Sequence, residues 1–310
     1  MPVLISPAER EYIINGVDHN IRADGRGRLD YRQIVIETGL IPQASGSARC
    51  RLGEGTDVLV GVNVEVGQVD MEGDDEVIRE RKSKRGRVIC NVECSPIASQ
   101  QFAGRGAEDF NNELTQTLDR VLNGPQGGLN LEKLCIIPGA ECWVVNIDAL
   151  ILDYAGNLLD MVFITTRAAL HNTKVPKTII TKTEDGLEFD FSDDMEDAER
   201  IEGWENVPIA VTLSKIGSRH IVDATPLEEL TVDARLLVAV NKNGKICGVQ
   251  KGGSGSIEPS LLNEMIQTGG TIGQHVIQKL DEQLEREEKE TSKKIVRNES
   301  VGKLGFFAAI

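Results

Sequence analysis

Apolar and polar residues alternate with two distinct periods along the chain, and the switches between them mark its elements. Val58, Val60, Val62, Val64 and Val66 occupy every second position and predict a half-buried strand. Arg87 to Cys94 alternates in the same way, and Tyr31 to Glu37 does so more weakly. Ser47 to Leu52 predicts a short strand, Trp143 to Asp153 a buried one and Thr178 to Thr183 another. Four short strands are expected further on, at Pro208 to Ile216, Arg219 to Asp223, Arg235 to Asn241 and Lys245 to Lys251.

Helical spacing takes over in four places. Ser6-Pro7-Ala8-Glu9 has the form of a capping box with Pro at the first helical position, and Tyr12, Ile13 and Val17 give the next turns an apolar side. That helix is expected to end near Asp18, and Arg22-Ala23-Asp24-Gly25-Arg26 reads as a turn. Ala107 to Leu122 places Leu114, Leu118, Val121 and Leu122 on one side, and Asn123-Gly124-Pro125-Gln126-Gly127-Gly128 stops it. Asn157 to His171 is apolar nearly all round and predicts a core helix. The last helix starts at Pro259 and carries Leu261, Met265, Ile272, Val276, Leu280 and Leu284, with Gly269 and Gly270 interrupting its middle. After Glu290 the tail is polar until Gly305-Phe306-Phe307. A β-rich stretch followed by a helix occurs twice, which predicts an α+β architecture of two similar halves with helices against sheets.

Composition narrows this picture. With 40 % hydrophobic but only 4 % aromatic residues, the core has to be aliphatic. The net charge of −15 excludes a protein that coats nucleic acid by bulk positive charge. The acidity is local. Glu184 to Glu205 holds eleven acids and one base, contributing −10, and reads as a loop or strand insertion with too few apolar residues to pack. Asp281 to Glu290 contributes −4, which leaves −1 for the rest of the chain. Against this stands a basic run, Arg79, Arg81, Lys82, Lys84, Arg85 and Arg87, six cations in nine residues. It reads equally as a contact for RNA phosphates, an import signal or a solvated loop balanced by Glu72, Asp74, Asp75 and Glu76. Met1 to Ser6 lacks the basic start of a signal peptide, and no apolar run approaches membrane-spanning length, so a soluble intracellular chain with no membrane partner is expected. The six cysteines are then expected as thiols. Cys90 and Cys94 sit in a strand pattern with no second ligand pair at zinc spacing, so neither a metal nor another cofactor is implied.

Candidate chemistry is sparse. Gly252-Gly253-Ser254-Gly255-Ser256 precedes a helix and is either an anion site or a flexible turn. Asp223, Glu228, Glu229 and Asp233 offer a carboxylate pair for acid catalysis or metal binding, or else a solvated acidic turn. The four histidines are scattered, and His171 and His220 suit structural roles.

Arg22-Ala23-Asp24-Gly25-Arg26, Gly46-Ser47-Ala48-Arg49 and Gly55-Thr56-Asp57-Val58-Leu59-Val60-Gly61, in this order, resemble the opening of RNase PH-like domains. Asp153-Tyr154-Ala155-Gly156-Asn157-Leu158-Leu159-Asp160 and Lys215-Ile216-Gly217-Ser218-Arg219-His220-Ile221-Val222-Asp223-Ala224-Thr225 resemble the exosome-ring branch of that family. The likeness runs from about residue 5 to residue 290. It implies two βαβα halves of the ribosomal protein S5 domain 2-like kind, with a long C-terminal helix. It also implies a segment division: an N-terminal helix and arm at 1–28, a domain at 29–290 and a tail at 291–310. The basic loop 70–87 and the acidic insertion 184–205 fall within that domain.

Members of the family form six-membered rings, and the catalytic ones degrade RNA from its 3′ end by attack of inorganic phosphate. Catalytic members open a helix with Gly, Ser or Thr, and Arg to hold that phosphate. Here the matching positions are Gly156, Asn157, Leu158, Leu159 and Asp160, with no Arg and with an acid that repels phosphate. Asp223 and Glu229 match the catalytic carboxylate pair only in part, so the site is expected to be lost and no residue is assigned a catalytic role. Arg120 matches an RNA-path arginine, while Gln116 and Asn123 stand where others have Arg. With Arg105 and the basic run, Arg120 makes up the candidate RNA contacts.

The implied role is an inert subunit of the eukaryotic RNA exosome core in RNA processing and decay. The implied partners are other RNase PH-like ring subunits, S1/KH cap subunits, an associated nuclease and RNA in the channel. The implied places are nucleus, nucleolus and cytoplasm. The alternatives are a phosphorolytic 3′–5′ exoribonuclease with an atypical site and a stand-alone RNA-binding module.

Overall fold

In the computed structural model of the chain, residues 5–69, 82–104, 106–183, 186–191 and 197–296 are described. Backbone contacts divide them into two compact units. One lies within residues 33–208, and the other joins residues 5–32 to 209–296, so the N-terminal arm belongs with the C-terminal third of the chain.

The 33–208 unit is built on a six-stranded sheet. Its strands are β1 (Ile34–Thr38), β2 (Gly46–Leu52), β3 (Thr56–Gln68), β4 (Arg87–Cys94), β5 (Cys135–Ile137) and β6 (Glu141–Asp153). The order is β1-β2-β3-β6-β4, with β5 beside β6, and all pairings are antiparallel except β4 with β6. Two helices, α2 (Gly106–Leu122) and α3 (Leu158–Asn172), cover one face, α2 against β4 and α3 against β2 and β3. The one-sided cover explains the strict alternation: Val58, Val60 and Val62 are fully buried, and Val88, Cys90, Val92 and Cys94 on β4 are buried. The valine stripe outlasts its cover, since Val66 at the far end is exposed. Leu114, Leu118, Val121 and Leu122 are all buried on α2. Burial pushes the Cys90 and Cys94 thiols up to about 12, which leaves them as small inert core residues.

Beyond α3 lie β7 (Lys174–Val175), β8 (Thr178–Thr183), β9 (Gly186–Phe191) and β10 (Glu199–Arg200). β8 pairs with β9 and β7 with β10, as two separate two-stranded sheets. The acidic segment is therefore partly ordered as strand, because Leu187, Phe189 and Phe191 alternate with its acids. Its far end is fastened by the fully buried Arg167 of α3, which donates to the backbone carbonyls of Trp204, Glu205 and Val207.

The second unit contains α1 (Pro7–Asp18), β11 (Ile209–Ile216), β12 (Arg219–Val222), α4 (Pro226–Glu229), β13 (Ala234–Val240), β14 (Ile246–Gly252) and α5 (Pro259–Val296). Its antiparallel sheet has the order β12-β11-β13-β14. Grouping adjacent strands, the first unit up to α3 and the second after α1 each read as strands, helix, strands, helix, which is the α+β pattern expected. The Ser6–Glu9 capping box is formed in both directions. Ile13 and Val17 of α1 pack with Ile216, Ile221 and Ala224, whereas Tyr12, expected on the same apolar side, is 68 % exposed. β1 starts three residues later than its alternation suggests, because Tyr31 packs in the core under α5 and Arg32 is bound to Asp223.

Gly269 and Gly270 do not interrupt α5, which also runs past the expected tail boundary to Val296. A Cβ on Gly269 would lie 3.0 Å from side-chain atoms of Leu213 and Val238, so this glycine lets the helix lie close on the sheet. Gly270 faces open space. Gly269→Val should therefore cost about 1–3 kcal/mol by overpacking, and Gly270→Ala should gain about 0.4–1 kcal/mol by restricting the unfolded chain. Chemical denaturation of the two variants checks this, and equal effects would contradict the packing described.

Candidate functional site

The turn at residues 22–26 and the end of β12 build one charged cluster within the second unit. Arg22, whose guanidinium has no solvent exposure, donates through Nε to Glu228 Oε1 at 2.8 Å and pairs with Oε2 as well. Its Nη1 and Nη2 reach the carbonyls of Val222 (3.0 Å) and Asp223 (2.8 Å). Asp223 lies just past β12 with φ at +48°, a conformation costly for a non-glycine residue and one that its bonds enforce. Arg32 grips its carboxylate through Nε (2.9 Å) and Nη2 (2.7 Å), its backbone N–H adds a bond at 2.8 Å, and Arg26 Nη1 adds another at 2.6 Å. Asp24 in turn orients Arg26 through Nε at 2.8 Å.

Burial would raise the Asp223 carboxyl, but hydrogen bonds and positive charge from Arg32, joined by Arg26, outweigh it and hold the group below the usual carboxylate range. Glu228 follows the same logic: burial raises it, while Arg22 and the Thr225 cap of α4 bring it down further. Both acids are thus occupied anions, ill suited to donating a proton or binding a metal. Of the two adjacent glutamates, Glu228 enters this cluster, whereas Glu229, matched to the second catalytic carboxylate, is half-buried on α4. Asp233 is engaged elsewhere, with Arg10 at 3.0 Å and the Gly217 N–H at 3.2 Å.

The candidate phosphate loop lies in the other unit. Thr56 Oγ1 donates to the Gly156 carbonyl at 2.7 Å and accepts from the Ala155 N–H at 3.0 Å, pinning the loop to the start of β3. A Cβ on Gly55 would fall 2.3 Å from that of Ala155, so the approach needs glycine. Tyr154 sets its ring edge-on to Phe102, which stacks on Phe110. Gly156 and Asn157 are left-handed, with φ at +85° and +58°, and Asn157 makes no side-chain cap. Leu158 and Asp160 are buried in the first turn of α3, and Leu159 is half-buried. The positive end of the helix dipole is met by the chain's own Asp160, and Asn157 to Asp160 supplies no cation for an incoming anion.

The basic candidates are scattered. Arg79, Arg81 and Arg105 lie outside the described residues. Lys84, Arg87 and Arg120 are exposed, while Lys82 and Arg85 are half-buried, Arg85 lying 3.6 Å from Glu132. Asn123 Nδ2 donates to the Val88 carbonyl at 3.1 Å, which sets the end of α2 carrying Arg120 beside the start of β4 carrying Arg87. Gly255, in the other anion candidate, is bonded to the Asp233 carbonyl at 2.9 Å, and Lys215 Nζ reaches the Ser256 carbonyl at 3.0 Å, so this stretch is a fastened turn. His171 meets Trp204 edge-on inside the core, and His220 is buried on β12. Among the described residues no cluster of three metal-ligating side chains occurs and no helix is long and apolar enough to cross a membrane. The arginine cluster was the part that sequence spacing left unassigned. Its signal was the density of arginines between Arg22 and Arg32, opposite an acid-rich strand end.

Depressed carboxyls stabilise the fold above their unfolded values, about 3.9 for Asp and 4.3 for Glu, and lose that contribution as pH falls through the lower folded values. Stability should therefore drop steeply below about pH 4. Asp223→Asn should cost about 3 kcal/mol at neutral pH by leaving Arg26 and Arg32 unpaired, and should flatten the acid slope. Denaturant unfolding across pH measures both, and an unaffected variant would refute the structural role.

The chain matches the two domains of the 3′ exoribonuclease family, domain 1 over residues 30–176 and domain 2 over residues 206–271. It is 36 % identical to a Dictyostelium discoideum protein carrying the name exosome complex exonuclease RRP42, covering 90 % of this chain and 98 % of that one. It is 37 % identical to the exosome complex component Rrp42 of Thermococcus gammatolerans, covering 84 % and 89 %. An archaeal exosome core structure superposes with a TM-score of 0.67 at 27 % identity, covering 88 % of this chain and 96 % of that one. The Archaeoglobus fulgidus exosome with RNA bound to the active site gives 0.69 at 29 % identity, covering 88 % and 97 %. With both domains matched and these motifs in place, the chain belongs to the 3′ exoribonuclease, or RNase PH, family.

Proposed function

We propose that this chain is a non-catalytic ring subunit of an RNA exosome core, shaping the channel that leads RNA to a nuclease on another subunit. The observation that carries this reading is the state of the charged cluster in one unit and of the helix-opening loop in the other, on a family scaffold. Asp160 lies buried in the helix turn where a phosphate would bind, and the Asp223 carboxylate is held by Arg26 and Arg32. Full-length relatives named as exosome components, and superposition on exosome cores, support membership of the ring. Its partners on this reading are other RNase PH-like subunits, S1/KH cap subunits and RNA. Its places of work are nucleus, nucleolus and cytoplasm. Of the candidate RNA contacts, Lys84, Arg87 and Arg120 are exposed, and on this reading they face RNA phosphates.

The family name and the Dictyostelium relative's name keep one rival in play, a phosphorolytic exoribonuclease. Purified chain incubated with RNA and inorganic phosphate should release no nucleoside diphosphates. Robust release that is lost in Glu229→Gln, with folding intact, would establish the rival instead.

Ring membership also makes a physical demand. Apolar side chains such as Ile89 and Leu150 stand exposed on the open face of the sheet, and β4 is its edge strand. Such surfaces favour self-association when uncovered. Co-expression with RNase PH-like subunits should raise the soluble yield of this chain, and the absence of any gain would count against the ring.

A further inference from the structure

The β8–β9 hairpin differs in its chemistry from the rest of the molecule. Its strands pair from Thr178↔Phe191 to Thr183↔Gly186, and among the described residues no third strand joins them. Paired positions share a face. Ile180, Lys182, Leu187, Phe189 and Phe191 therefore lie on one side, and Ile179, Glu188 and Asp190 on the other. At the root of the first face the Phe191 ring, still partly exposed, lies 5.3 Å from Phe189 and 5.4 Å from Trp143. Its outer half is open, with Ile180 51 % and Leu187 45 % exposed.

A two-stranded hairpin is marginal in water. Exposed edge strands usually carry Lys or Pro to block further pairing. β9, Gly-Leu-Glu-Phe-Asp-Phe, has neither, and its acids alternate strictly with its apolar residues. Asp190 Oδ1 already accepts the Phe191 N–H at 2.8 Å, so the stretch left for pairing is Leu187 to Asp190.

We propose that β9 is a docking edge for an extended peptide of alternating basic and apolar residues, which adds to the hairpin as a third strand. In such a strand every second side chain falls beside Leu187 and Phe189, where apolar groups extend the covered face. The intervening ones fall beside Glu188 and Asp190, where Lys or Arg is required. Glu188 and Asp190 stand on the strand itself, in a stretch of sequence rich in acids, which favours a cationic segment over nucleic acid. The same charges set a second copy of the hairpin against itself. The occupant is thus a basic protein segment, a partner beyond the ring subunits and RNA of the function proposed above.

The test uses the full chain and a synthetic peptide of alternating Lys and Val, followed by fluorescence anisotropy and by hydrogen exchange at the β9 amides. Saturable binding is expected, with slowed exchange at Leu187 and Phe189. A scrambled peptide of the same composition, and one N-methylated along its pairing edge, should bind at least about tenfold more weakly. Glu188→Lys, on an exposed position, should weaken binding several-fold without altering thermal stability. Equal binding of the scrambled or N-methylated peptide would reduce the effect to bulk charge and overturn the proposal. So would tighter binding of single-stranded RNA at the same amides, loss of a self-associated state in Glu188→Lys, or no saturable peptide binding. None of these readouts depends on ring assembly, so failure here leaves the ring reading standing.

Discussion

A buried guanidinium has few ways to be stable, and the Arg22 side chain meets nearly all of its demand with protein groups. Two bonds go to Glu228 and two to the carbonyls that end β12. Removing either charged partner would strand the other in a low-dielectric interior, so each holds the other in place. That mutual dependence fixes the N-terminal turn against β12 and α4, and it brings Arg26 and Arg32 to bear on Asp223. The left-handed backbone at Asp223 persists because several bonds over-determine it.

The charged cluster of one unit and the helix-opening loop of the other show one principle, that charge is answered internally. In one, cations supplied by the chain saturate an acid. In the other, an acid supplied by the chain meets the positive end of a helix. On the function proposed above this is the expected contrast with a phosphate-binding enzyme, whose donors stay unsatisfied until the ligand arrives. The residues that resemble family motifs remain because they hold the fold. Arg49 bonds Asp57 across β2 and β3, Ser47 Oγ accepts the Ile41 N–H, and Thr56 anchors the loop before α3.

Local rules made much of the fold legible. The Ser6–Glu9 capping box, the alternation of Arg87–Cys94 and the Leu114–Leu122 stripe each state their geometry within one window of sequence. What they could not state was set by distant neighbours. Gly269 reads as a helix breaker until Leu213 and Val238 are placed beside it. Tyr12 has the right spacing for the core, yet the packing needs only Ile13 and Val17. β5 is three residues long and exists through its pairing with β6. That no arginine stands between Asn157 and Asp160 was readable, because it concerns one short stretch of sequence. The neutralisation of Asp223 was not, because Arg26 and Arg32 lie nearly two hundred positions away in sequence.

That separation has a consequence for how the chain is made. The unit spanning residues 33–208 is continuous and can close as soon as it leaves the ribosome. The other unit is assembled from both ends of the chain. Arg22 emerges 206 residues before Glu228. At about 5–20 residues per second, translation leaves the N-terminal helix waiting roughly 10–40 s for its partner. During that interval Ile13, Val17 and the arginine turn lack the residues that later cover them. The nascent arm is therefore a natural client for chaperones. A truncation that removes Ile216 to Glu228 takes away the packing and ion-pair partners of the first helix and its arm.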